Sequence, residues 1–323
     1  MRTITTVLGP VPPYALGVTD AHSHLYIGPV VGGALDAPVL NDVEAVAREL
    51  EGFRAMGGGA IIDCQPGFDC GRDGRVLRNL SERTGIRVVA ATGFHRRLYY
   101  PPDAPLFHMT ADQAADHFRA EINDGLVETR DTRRPVWPGF IKIAAEATLA
   151  DSPLALFEAA AAVCKETGYA IEMHTERGAA VEDFLAFFGG QGVSPRRLVF
   201  CHVDKRPDIG LHRELARAGV MLEYDTFYRP KYRPDETVWP LLREMSAAGL
   251  ARQVALATDM ADPALWVEIR AEIGAEIRGG PGLAGIFTMI KPRLMRMGLP
   301  EETIAGLLGG HIAGRIAVEE DDD

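Results

Sequence analysis

Cysteine is scarce in this chain: four in 323 residues, Cys64, Cys70, Cys164 and Cys201, with no CxxC pair among them. That spacing argues against a zinc ribbon or a disulfide framework. Cys64, Cys164 and Cys201 lie in apolar segments and are expected to be reduced and buried, whereas Cys70, in the loop GFDCGRDG, is expected at the surface. Long hydrophobic runs are missing as well. No stretch nears the roughly 20 apolar residues of a membrane helix. The opening MRTITTVLGPVPP has no basic region leading into a hydrophobic one, so a soluble, cytoplasmic chain without a membrane partner is expected. Positive charge is in deficit, 34 Lys+Arg against 45 Asp+Glu for a net charge of −11, which speaks against a nucleic-acid partner. No GxGxxG follows the first apolar run, so a dinucleotide-binding open sheet has little support. What is present, 47% hydrophobic and 24% charged residues, is the composition of an ordinary globular protein with a sizeable core.

Short apolar runs recur along the chain, each followed by a turn and a stretch with helical spacing. They cover residues 15–22, 60–64, 87–92, 139–144, 169–174, 197–202, 219–224 and 253–258. Near-continuous hydrophobicity marks strands buried on both faces, as in a parallel sheet. Between them, residues 41–56 read as a helix capped by Asn41 and stopped at Gly57, and 152–168 as one opened by Ser152-Pro153 and closed by Gly168. Eight such units predict an α/β fold, a (β/α)8 TIM barrel, forming one domain over residues 1–318 with an acidic tail at 319–323.

A barrel carries its chemistry at the C-terminal ends of its strands. The first run ends in Asp20-Ala21-His22-Ser23-His24, and the strand period of two aims His22 and His24 at one face. By itself an HxH is more readily read as two hydrogen-bonded histidines. Here, however, the fifth run ends in His174, the sixth in His202 and the eighth is followed by Asp259. Nitrogen and carboxylate ligands without thiolate suit zinc, manganese, cobalt or iron. Lys142 lies inside the apolar run GFIKIA. A buried ammonium must pair with an anion, reach the rim, lose its proton or be modified. A neutral amine can add carbon dioxide to form a carbamate whose two oxygens bridge two cations.

In order and spacing, these residues resemble the phosphotriesterase family of the amidohydrolase superfamily. The opening ITTVLGPVPPYALGVTDAHSHL is similar to that family's signature around its metal-binding HxH, and GFIKIA, MHTERG, FCHVDKRPD and ATDMAD follow in family order. The resemblance spans nearly the whole chain. It implies a metal-dependent hydrolase with two divalent ions, zinc foremost. His22, His24 and Asp259 would hold one ion and His174 and His202 the other, with carboxylated Lys142 and a hydroxide bridging both. It also implies that Asp259 handles the proton of the attacking water, and it suggests a homodimer.

The segment after the seventh run, EYDTFYRPKYRPD, is similar to a branch that hydrolyses phosphorylated sugar lactones, in which basic residues of this loop hold the phosphate. Arg229 and Lys231 match those positions, with Tyr232 and Arg233 beside them. A solvated loop of surface ion pairs is the competing reading. One feature departs from that branch: Asp262 stands where it carries a phosphate-binding arginine, which makes a nonphosphorylated or carboxylated lactone at least as well supported as a phosphorylated one. His95, Arg96, Arg97, Tyr99 and Tyr100 after the third run, Asp204 and Lys205 after His202, and Trp266 are further candidates for the pocket. His108, His117, His212 and His311 have no assigned role. The expected activity is attack on an ester-like bond of a sugar-type lactone. Organophosphate or amide hydrolysis and a catalytically silent ligand-binding barrel are the alternatives.

Overall fold

A computed structural model describes residues 1–30, 32, 37–67, 69–259, 262–265, 267–270 and 275–319. A short hairpin, β1 (Arg2–Thr6) and β2 (Gly9–Val11), precedes the barrel. Eight strands then pair in chain order, every neighbour parallel: β3 (Val18–Ser23), β4 (Gly58–Asp63), β5 (Arg87–Gly93), β6 (Pro138–Ala144), β7 (Ile171–His174), β8 (Leu198–Cys201), β9 (Met221–Tyr224) and β10 (Val254–Leu256). The seam between the last strand and the first is joined just beyond β10, where Asp259 N donates to His22 O at 2.9 Å and Thr258 N to Asp20 Oδ1 at 3.0 Å. The arrangement is a (β/α)8 barrel, and each of the eight apolar runs contributes one strand.

The helices follow the strands as α1 (Val43–Ala55), α2 (Gly74–Thr84), α3 (Ala111–Asp124), α4 (Leu154–Thr167), α5 (Val181–Gly190), α6 (Ile209–Ala218) and α7 (Val238–Ala247). After β10 come α8 (Lys291–Arg296), α9 (Glu301–Ala305) and α10 (His311–Ile316). Local chemistry sets their ends. Asp42, not Asn41, caps α1, its Oδ1 accepting from Ala45 N at 2.9 Å, because the chain leaves the helical path one residue later than the spacing suggested. Ser152 does not cap α4; its hydroxyl donates to Thr148 O at 2.8 Å, while Gly168 ends the helix in the left-handed conformation. Two further pairings escaped the sequence pattern: the hairpin β11 (Val267–Arg270) with β12 (Ala275–Arg278), and β13 (Val318–Glu319) against β1. Trp266 and residues 320–323 of the acidic tail lie outside the described residues.

Two apolar layers hold the barrel. One fills the space between strands and helices, with Phe53, Phe94, Phe118, Phe157 and Phe188 buried in it. The other fills the lower barrel interior with Ala60, Ile62, Val89, Phe140 and Val199, closed from below by Ile312 and Ile316 of α10. The upper interior is polar, and there the chemistry sits. Among the described residues no helix is long and apolar enough to cross a membrane.

Candidate active site

His22, His24, His174, His202 and Asp259 converge at the upper mouth of the barrel, all lining one cavity. Strand alternation brings the first two together, with ring centroids 5.4 Å apart. His202 packs 4.9 Å from His22 and 4.8 Å from His174. His202 and Asp259 have φ of 62° and 65°, a conformation rarely adopted by residues other than glycine, so the backbone is strained at two positions that aim side chains into the mouth.

Three of the four imidazoles are oriented from behind. His22 Nδ1 donates to Glu223 Oε1 at 2.9 Å, His24 Nδ1 to Gln65 Oε1 at 2.9 Å and His202 Nδ1 to Asp225 Oδ2 at 2.6 Å. With the proton on Nδ1, the Nε2 lone pairs face the cavity, the geometry in which histidines bind metal. His174 Nε2 is buried without a hydrogen bond; Glu176 Oε2, at 3.9 Å, is too distant for one. Burial pushes His22 and His202 down to about 4 and His24 and His174 down to about 3, so all four are neutral at physiological pH. Burial alone would raise Asp259, but its neighbours His202, Arg229, His22 and Lys205 bring it well below the usual carboxylate range, and with the imidazoles neutral Arg229 and Lys205 are the cations that keep it ionised. The ligand atoms of His22, His24 and Asp259 lie within 4.8 Å of one another, as do those of His202, Asp225 and Asp259. Neutral imidazoles, an ionised carboxylate and an orphaned ring nitrogen around one cavity fit a divalent metal centre.

Lys142 is fully buried below the histidines. Its Nζ is 3.5 Å from Glu172 Oε1 and 3.5 Å from Cys201 Sγ, while Cys64 Sγ donates to the same Glu172 oxygen at 2.6 Å. Of the outcomes open to a buried lysine, the unmodified side chain thus takes pairing with an anion. Burial disfavours its ammonium, yet Cys201, Cys64, Glu172 and Glu223 around it push its pKa up on balance, so carbamate formation would need the positive charge of metal ions above it to displace that proton. Sequence reasoning missed Glu172 and Glu223. The signal was the one used for Lys142, a charged residue inside an apolar run, in YAIEMH and GVMLEY.

The expected substrate contacts divide. His95 lines the cavity; Arg96 N donates to its Nδ1 at 2.7 Å, which leaves the proton on Nε2, and its ring packs against Tyr99, another lining residue, with centroids 4.7 Å apart. Arg229 also lines the cavity but is held by Asp259, NH2 to Oδ2 at 2.8 Å, and Lys205 stands nearby as a second cation. The structure departs from expectation at five residues. Asp204 does not face the cavity. Its Oδ2 accepts from Asp225 N, Thr226 N and Thr226 Oγ1 at 2.7–3.0 Å, because the turn after β9 needs an acceptor for its exposed N–H groups. Lys231 and Tyr232 do not line the cavity either: the turn Pro230–Tyr232 carries Lys231 outward, its Nζ 5.1 Å from the Tyr232 ring. Cys70 is buried, 2% exposed, and lines the cavity, since Gln65 reaches back to its carbonyl and draws the loop inward. Asp262 is not among the residues that line the cavity; its Oδ1 accepts from Ala264 N at 2.8 Å. Arg96 is engaged by Glu146 and Glu176, at 2.8 and 2.6 Å, and Arg97 stacks on Phe107.

A profile of the phosphotriesterase family, a family of metal-dependent hydrolases, matches residues 2–310. The chain belongs to that family. Among curated phosphotriesterase relatives, the phospho-furanose lactonase of Mycoplasmopsis synoviae is 28% identical, covering 98% of this chain and 92% of its own. The phosphotriesterase homology protein of Escherichia coli is 24% identical over 90% of this chain and 95% of its own. Among solved structures, an amidohydrolase from Mycoplasma synoviae superposes with a TM-score of 0.82 at 27% identity, covering 100% of this chain and 94% of its own. A lactonase from Listeria monocytogenes gives 0.83 at 22% identity, covering 96% and 98%.

Proposed function

We propose that this phosphotriesterase-family member is a metal-dependent lactonase that opens a sugar-type lactone bearing a phosphate or carboxylate. The observation that carries the reading is the convergence of four neutral imidazoles and an ionised aspartate on one cavity, with Lys205 and Arg229 as cations on its wall. His22, His24 and Asp259 would hold one divalent ion and His174 and His202 the other, with Lys142 between them as its carbamate. Zinc suits this donor set. Such ions would supply Lewis acidity there, lowering the pKa of a bound water and polarising the carbonyl oxygen under attack.

This chain's own residues do the rest. As water adds to the lactone carbonyl, Asp259 takes its proton on Oδ1, the oxygen turned toward His22 and His24, while Arg229 holds Oδ2. The ring C–O bond then breaks, and the same carboxyl returns the proton to the leaving alkoxide. The His95 Nε2–H donates to a substrate oxygen on the far wall. Lys205 and Arg229 receive the anionic substituent, for which a guanidinium fork and an ammonium are suited. The two relatives named phospho-furanose lactonase, at 28% and 29% identity, support that substrate class.

Elemental analysis of protein expressed with zinc and bicarbonate, paired with hydrolysis assays on lactones with and without phosphate, tests the proposal. About two metals per chain and faster opening of the anionic lactones are expected. Preference for amides or phosphotriesters, or metal-loaded protein silent on every lactone, would overturn it.

A further inference from the structure

The opposite end of the barrel carries a concentration of charge that lactone hydrolysis does not use. Arg196 and Arg197 lie in the turn Pro195–Arg197 directly before β8, and Arg252 in the turn Ala251–Gln253 directly before β10, whereas His202 and Asp259 follow those same strands at the upper mouth. With Arg2 from β1 and Arg315 from α10 they surround a basal cavity of about 390 Å³, to which Ser194, Gln253 and His311 also contribute.

Among the described residues no carboxylate lines this cavity, and none of the five arginines forms a salt bridge. Acid is not scarce, since the chain carries 45 Asp+Glu and elsewhere pairs Arg72, Arg83, Arg96, Arg119, Arg206 and Arg293 with carboxylates. Three of the basal guanidinium groups are fixed by neutral acceptors instead. Arg2 donates to Gly314 O and Ala317 O at 2.6 and 2.9 Å, Arg315 to Gly219 O at 2.9 Å and Gln253 Oε1 at 2.6 Å, and Arg197 to Ala317 O at 3.4 Å. Such bonds orient the forks without neutralising them. Burial, reinforced by the charges of Arg196 and Arg197, pulls Arg315 down to about 10, as expected where cations are crowded together. The nearest carboxylate along the chain, Glu319, is paired in register with Arg2 but forms no ion pair with it.

We infer that the basal cavity binds a small, multiply charged oxyanion of the phosphate class. A lone carboxylate would leave most of five cations unmet, whereas tetrahedral phosphate offers several oxygens to planar guanidinium forks at once. The site is independent of the lactonase reading, because it lies at the other end of the strands.

Phenylglyoxal modification of the metal-loaded protein, mapped arginine by arginine through peptide mass spectrometry, tests it with millimolar inorganic phosphate as probe and chloride of equal ionic strength as reference. Arg196 and Arg252, both exposed, should react at least about threefold more slowly with phosphate, while the surface arginine Arg83 keeps its rate. In an R196A/R252A variant, protection at Arg2 and Arg197 should be lost and lactone hydrolysis unchanged. Equal rates with phosphate and chloride at the basal arginines, or protection confined to Arg229 at the upper mouth, would overturn the inference.

Discussion

At the scale of single residues, the division of labour among carboxylates makes separable predictions. Asp259 touches the histidines and Arg229 but is one of several ligand-type groups. D259N should retain near-normal metal content while lowering kcat by about a hundredfold or more, as read by elemental analysis and initial rates on one lactone. Unchanged turnover would remove Asp259 from proton transfer. Glu223 lies one shell further out, holding His22 by Nδ1. E223Q keeps the shape but cannot draw the imidazole proton as strongly, so metal affinity in a chelator competition should weaken by about ten- to a hundredfold. The histidines and Asp259 were legible because strand ends are where a barrel exposes its chemistry. Glu172 and Glu223 were less so, because only the assembled barrel reveals that their side chains meet Lys142 and His22.

Among the elements, β5 and β6 are packed so closely at their upper ends that a side chain at Gly93 has no room. Its φ is 111°, and a Cβ there would overlap the Lys142 carbonyl oxygen. G93A should therefore cost at least about 2 kcal/mol of stability, seen as a lower urea midpoint, and should displace β6 together with Lys142. A wild-type midpoint would mean that the strands can part without penalty. The strands were legible as unbroken apolar runs. The hairpin of β11 and β12 was not, because it follows the eighth strand, where the pattern leads to a loop. The outward turn of Lys231 likewise depends on two consecutive short turns whose direction no spacing encodes.

For the whole molecule, closure of the barrel depends on Asp20, which joins the first strand to the segment after the last through Thr258 N and Thr258 Oγ1. Burial raises this carboxyl from 3.8 to about 8, against the hydrogen bonds from Thr258 and His22. Folded protein thus keeps the proton that the unfolded chain releases, and this group's contribution to stability falls as pH rises from about 4 to about 8. An amide holds no such proton and can still donate to the threonine hydroxyl. The stability difference between wild type and D20N should accordingly shift against wild type by a few kcal/mol over that range, on the order expected for such a shift, in urea titrations at several pH values. A constant difference would mean that Asp20 is ionised in the fold. By itself the sequence determined the eightfold repeat, the strand ends and the order of imidazole, lysine and aspartate, since periodicity and burial are local properties of the chain. Only the tertiary structure decided which carboxylate orients which imidazole, that Asp204 and Asp262 do not line the cavity while Cys70 does, and that five arginines from distant segments meet at the base. Those are contacts between remote residues, and they exist only once the barrel has closed.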